Sequence, residues 1–119
     1  MLTFRQLQDE QRPWVEHNFP GRSDYFPLLG AVEELGELAH AHLKGLQGIR
    51  GTAEEHAALA KDAVGDVIVF LADYCTARGF DLQEIMETTW AQVKKRDWRR
   101  DPQNGGEPGA QDRAGKWEK

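Results

Sequence analysis

The sequence predicts an all-α protein, and three observations carry that reading. Apolar residues recur at helical spacing in four separate stretches. Ser/Thr/Asp residues followed three positions later by Glu or Gln open three of those stretches, as capping boxes do. Glycine-rich or turn-forming segments separate them.

The first helix is expected from about Thr3 to His17, opened by Thr3 with Gln6. Phe4, Leu7, Gln11, Trp14 and Val15 fall on one face, and Pro13 kinks or ends the helix. Residues 18–27, NFPGRSDYFP, read as a loop rich in aromatics. Phe19, Tyr25 and Phe26 there either pin the loop to the core or form a wall for a planar ligand. A second helix is expected over Leu28 to Leu46 and ends in KGLQGIRGT, which carries three glycines and the cations Lys44 and Arg50. Thr52 with Glu55 opens a third helix running to Arg78, and Gly79 stops it. Its middle, AVGDVIVFLADYC, is apolar nearly all round, so it should be buried on most sides. A chain this short cannot supply that cover alone, which implies an oligomer. Asp81 with Glu84 opens the fourth helix, through about Trp98, with a basic ending KKRDWRR suited to a helix C-terminus. One domain is expected over 1–100. Residues 101–119, with four glycines and two prolines, read as a disordered tail.

The bulk numbers narrow the function. The chain has 119 residues, with 39% hydrophobic and 29% charged residues, ordinary for a globular domain. Twenty acids against 15 bases give a net charge of −5, the wrong sign for nonspecific binding to nucleic acid. An acidic chain with an anionic substrate needs a cation between them. The single Cys75 excludes an internal disulfide framework, and no Cys/His finger spacing occurs. The N-terminus carries no signal-like apolar core, and no apolar run approaches the ~20 residues of a membrane span. The cytoplasm is the expected location, with no membrane partner.

The chemistry is expected from clustered acids. Glu33, Glu34 and Glu37 fall within about 100° of arc on the second helix. Like charges at this spacing cost a helix ~0.2–0.5 kcal/mol per pair. Asp62, Asp66 and Asp73 share a stripe about 40° wide on the third, and Asp66 lies in the most apolar stretch of the chain. A divalent cation between the two helices would relieve both penalties, and Mg²⁺ prefers such hard oxygen ligands. The bland alternatives are a solvated acidic face for the glutamates and a structural hydrogen bond for Asp73. Glu37 and His40 form one Glu-x-x-His pair, but di-iron bundles need a second pair, which is missing.

GAVEELGELAHAHLK followed by KDAVGDVIVFLADYC resembles the two metal motifs of MazG-like nucleotide pyrophosphohydrolases. That pattern is Glu-Glu-x-x-Glu on one helix and Glu-x-x-Asp on a later one. Glu33, Glu34 and Glu37 match the first, and Asp66 matches the aspartate of the second. Ala63 stands where the second motif has glutamate, with Asp62 as the nearby substitute. TWAQVKKRDW resembles the family's basic fourth helix, with Val93 where many relatives have asparagine.

The resemblance covers about residues 28–98. It implies an all-α bundle of four or five helices, working as a homodimer or homotetramer. It implies Mg²⁺-dependent cleavage of a nucleoside triphosphate to monophosphate and pyrophosphate. Glu34, Glu37 and Asp66, with Asp62, would then hold Mg²⁺, and Glu33 would orient or deprotonate the attacking water. Lys44, Arg50, Lys94 and Lys95 become candidate phosphate contacts, and Trp14 a candidate for stacking on the base. The missing glutamate at position 63 keeps a second reading open, a binding or assembly module without turnover.

Overall fold

The computed structural model describes residues 1–106 and 115–117. Its helices are α1 (Phe4–Asn18), α2 (Tyr25–Gln47), α3 (Ala53–Arg78) and α4 (Leu82–Val93), and no strand occurs among the described residues. The all-α class holds. No helix among the described residues is long and apolar enough to cross a membrane.

The helix starts follow local chemistry. Thr3 and Thr52 each accept the N–H three residues on, and Gln6 and Glu55 return the bond to the cap backbone. Gly48 and Gly79 sit in the left-handed region at the ends of α2 and α3, where a side chain would be strained.

Three boundaries differ from the sequence expectation. Pro13 lies inside α1, which runs on to Asn18. α2 begins at Tyr25, so Tyr25, Phe26 and Pro27 belong to its first turn rather than to the loop. Proline is tolerated there, because first-turn N–H groups have no helical partner to lose. α4 ends at Val93, so the basic segment 94–100 follows the helix instead of finishing it.

Contacts divide the chain into one unit ending at Gln83 and another beginning at Glu84. In the first unit, α3 packs against α2 along one side and α1 along another. Gly30 lies against Phe70 and Gly45 against His56, so α2 and α3 run antiparallel in close register. The α1–α3 contact is held by two buried glutamines. Gln8 donates to Thr76 Oγ1 and to the Phe80 carbonyl, both at 3.0 Å, and accepts the Leu82 N–H at 2.9 Å. Gln11 donates to the Val69 carbonyl at 2.8 Å. Trp14, expected on the packed face, is instead exposed.

In the second unit, α4 gives way to a turn cluster over 97–106. Asp97 N–H donates to the Gly105 carbonyl at 3.1 Å, and Gly105 N–H to the Asp101 carbonyl at 2.7 Å. The Asp97 carboxylate accepts the N–H groups of Arg100 and Arg99, which hold its pKa below the usual range. The segment expected to be a tail therefore opens with hydrogen-bonded turns. Residues 107–114 and 118–119 lie outside the described residues.

Two glycines of α2 make opposite predictions. A Cβ on Gly30 would overlap the Phe70 ring, whereas one on Gly36 would meet nothing. Gly36→Ala should therefore stabilise the protein by about 0.5–1 kcal/mol through helix propensity. Gly30→Ala should destabilise it by about 1 kcal/mol, since overpacking of about 1–3 kcal/mol outweighs the same gain. Urea unfolding of both variants reads the two signs.

Candidate metal centre

The register of α2 against α3 brings two of the acids together. Gly30 meets Phe70, and one turn further along each pair stand Glu34 and Asp66. Glu34 is half-buried, and its carboxyl is held above the ordinary glutamate range. Desolvation is the largest cause, followed by the charges of Asp66, Glu33 and Glu37. Asp66 thus acts on Glu34 across the helix pair.

The rest of the cluster surrounds this pair. At about 100° per residue, Glu33 and Glu37 lie on one side of the α2 stripe that faces α3. Asp62 and Asp66 lie on one side of the α3 stripe that faces α2. Because the helices are antiparallel, these are the same side of the pair. Glu33, Glu37, Asp62 and Asp66 are all exposed on it. Asp66 was expected to be buried among apolar residues, and it is not. The apolar run around it is itself largely open, with Val64, Ile68 and Val69 exposed. Ala63, in contrast, is buried where α3 meets α2.

Asp73 lies further along the same stripe but takes a different partner. Its carboxylate is buried and takes Arg22, with Nε donating to both oxygens at 3.1 Å and Nη2 donating to Oδ1. The hydrogen bonds that Arg22 donates to Asp73 outweigh desolvation and hold its guanidinium above its already high pKa. This pair fastens the 19–24 connection to α3. The sequence separation of 51 residues left no local signal for Arg22.

The aromatics of that connection form a chain of ring contacts. Trp14 meets Phe19 edge-on at 6.1 Å, Phe19 meets Phe26 at 4.8 Å, and Phe26 meets Phe70 at 6.4 Å. Phe70 is one helical turn from Asp66, so the chain leads from exposed Trp14 to the acids. Tyr25 is exposed and stands apart from these contacts.

Of the candidate cations, Lys44 and Arg50 are not gathered beside these acids. Lys44 lies ten residues beyond Glu34, about 15 Å along α2, and its Nζ donates to Gln47. Arg50 is exposed in the α2–α3 connection with a positive φ, at the far end of the pair. Lys94 and Lys95 belong to the second unit, where both are exposed.

Among the described residues, no three His, Cys, Asp or Glu side chains stand close enough together to hold a metal ion alone. Mg²⁺ does not require such a cage. It is usually held by one or two carboxylates, completed by water and substrate phosphates. Glu34 with Asp66 meets that lower requirement in donor chemistry. No protein-family model, characterised protein or solved structure matches the chain.

The raised pKa of Glu34 has a consequence for stability. A group whose folded pKa is raised favours the fold when protonated, and that contribution is lost as pH rises through the folded value. Metal-free protein should therefore lose stability as pH rises from the ordinary glutamate range through the higher range of Glu34. Glu34→Gln should flatten that part of the curve. Urea midpoints of both proteins between about pH 4 and pH 7, the span above an ordinary glutamate pKa, would test it.

Proposed function

We propose that the chain is a Mg²⁺-dependent nucleoside triphosphate pyrophosphohydrolase of the MazG-like kind, acting as a homodimer or homotetramer. The observation that carries the reading is the Glu34–Asp66 juxtaposition across α2 and α3, where the charge of Asp66 adds to desolvation in making Glu34 costly to ionise. Such an arrangement is unfavourable by itself and becomes favourable when a cation shares it.

Glu34 and Asp66 would hold Mg²⁺, with Glu37 and Asp62 at the same face completing the acidic field. When bound, the ion would neutralise phosphate charge and make water more acidic. Glu33, exposed beside Glu34, would orient the attacking water and accept its proton at a carboxylate oxygen. The water oxygen bonds to the α-phosphorus, the α–β bridge breaks, and pyrophosphate leaves. Trp14 and Phe19 offer an exposed aromatic edge on which a base could stack. The cations contribute less to this reading, because Lys44 and Arg50 lie well along the helix pair from the acids.

One observation favours the alternative of a binding or assembly module without turnover. Ala63 is buried at the helix interface at the position where the family pattern has glutamate. The deciding experiment incubates the protein with Mg²⁺ and a panel of canonical and damaged nucleoside triphosphates. Release of monophosphate and pyrophosphate supports the enzyme. Mg²⁺-dependent nucleotide binding without products supports the module.

A further inference from the structure

Five of the chain's 15 cations fall within the seven residues 94–100, against the single acid Asp97. The segment therefore carries a net +4 in a chain of net −5. It lies wholly in the second unit, directly after α4, and the proposed hydrolysis makes no use of it. Lys94, Lys95 and Arg99 are exposed and make no side-chain ion pair among the described residues. Arg100 is taken by Asp101, 2.7 Å from its Nε.

Two exposed indoles bracket these cations, Trp90 at 60% and Trp98 at 52%. Trp98 is held in place while open to solvent. A Cβ on Gly105 would stand 3.1 Å from its Cε2 atom, so the ring lies against bare backbone. Gly105 is fixed in turn, its N–H donating to the Asp101 carbonyl and its carbonyl accepting the Asp97 N–H. The Asp97 carboxylate accepts the N–H groups of Arg99 and Arg100, which sets the backbone beside Trp98.

We infer that this basic turn is a docking site for single-stranded nucleic acid, with Trp98 stacking on a base and Lys94, Lys95 and Arg99 meeting flanking phosphates. The cations select a polyanion. Acids on α4 do not cancel them, because Glu87 lies roughly 9 Å along the axis from the helix end, and salt screens exposed charges beyond about 8 Å. The negative charge of the whole chain opposes a long duplex laid across the molecule, not a short strand at one turn. The indole selects the kind of polyanion. Every base offers a flat apolar face, and stacking on an aromatic side chain gives sequence-tolerant affinity for single strands. A duplex keeps its bases stacked on one another. An anionic membrane would take Trp98 only with apolar company, and the other exposed residues from Asp97 to Asn104 are polar except Pro102.

The inference is independent of the nucleotide reading. Fluorescence anisotropy of the full chain with a labelled oligothymidylate of about 12 nucleotides reads it. Binding should be present at about 50 mM salt and fall by about 200 mM, with a log–log slope near −2 for three phosphate contacts. Changing Lys94, Lys95 and Arg99 together to Gln should remove most of that slope. Trp98→Ala should weaken binding at least about 5-fold and leave the slope unchanged, and Trp98→Phe should restore most of the loss. Asp66→Asn should bind as wild type does, which separates this site from the acids. If Trp98→Ala disturbs the turn, the triple Gln variant carries the measurement, because its three side chains are exposed and unpaired among the described residues. An oligothymidylate that fails to bind at about 50 mM salt overturns the inference. So does binding that the triple Gln variant leaves unchanged, or tighter binding to a duplex of the same length or to phosphatidylserine vesicles.

Discussion

Arg22→Ala is expected to destabilise the protein by about 3–5 kcal/mol. The side chain of Asp73 is 4% exposed, so removing its partner strands a carboxylate away from water. Breaking one half of a buried pair costs about that much, because the remaining charge is uncompensated. Asp73→Ala should cost less. The Arg22 side chain is 18% exposed, and its long stem can carry the guanidinium toward solvent. Replacing both by leucine should recover most of the loss, since an apolar pair of similar volume avoids the desolvation penalty altogether. Denaturant unfolding of the three variants gives the ordering. Arg22→Ala within about 1 kcal/mol of wild type, the usual worth of an exposed pair, would show the pair to be a surface bridge after all.

That pair also marks where sequence reading ends. Helix starts at Thr3 and Thr52 and the stop at Gly79 were legible, because capping chemistry is local and spans four residues. The start of α2 was misplaced because Asn, Pro, Gly and Ser around residues 18–24 imply a turn, and Pro27 looked like part of it. A proline in a first helical turn leaves the same trace in sequence as a proline in a loop. Gln11 fell on the expected face of α1, but Gln8 gave no sign of burial, and the partners of both are backbone carbonyls and a threonine 58 to 72 residues away. The apolar middle of α3 predicted burial for Asp66, yet Val64, Ile68 and Val69 around it are exposed, because composition alone does not say which faces of a helix find a partner. The acids themselves were legible as a cluster. Their division into Asp66 beside Glu34 and Asp73 beside Arg22 depended on the packing of α3 and on a distant loop.

On the proposed enzyme reading, Asp66→Asn is expected to abolish turnover, by at least about 10²–10³-fold, while leaving the metal-free fold as stable as wild type or slightly more so. The loss follows from its position, because removing one preorganised charged group at a reacting centre is worth that much. The stability result follows from repulsion. Asp66 raises the Glu34 pKa, so in metal-free protein it opposes the ionised state of its neighbour. Asparagine keeps the shape and removes that opposition. Wild-type protein should melt higher in millimolar Mg²⁺, and higher still with nucleotide, since a ligand that binds only the native state stabilises it by mass action. In Asp66→Asn that increment should vanish. A structural aspartate would behave the other way, losing stability with and without Mg²⁺, as Asp73 is expected to. Asp62→Asn separates the roles within the cluster. If Asp62 supplies what Ala63 lacks, its loss should weaken the Mg²⁺ increment without removing it. Ala63→Glu is no simple repair, because position 63 is buried against α2 and a carboxylate there must displace packing before it can reach an ion. A wild-type melt indifferent to both Mg²⁺ and nucleotide, with Asp66→Asn equally indifferent, would leave the acids as a solvated face and remove the basis of the enzyme reading.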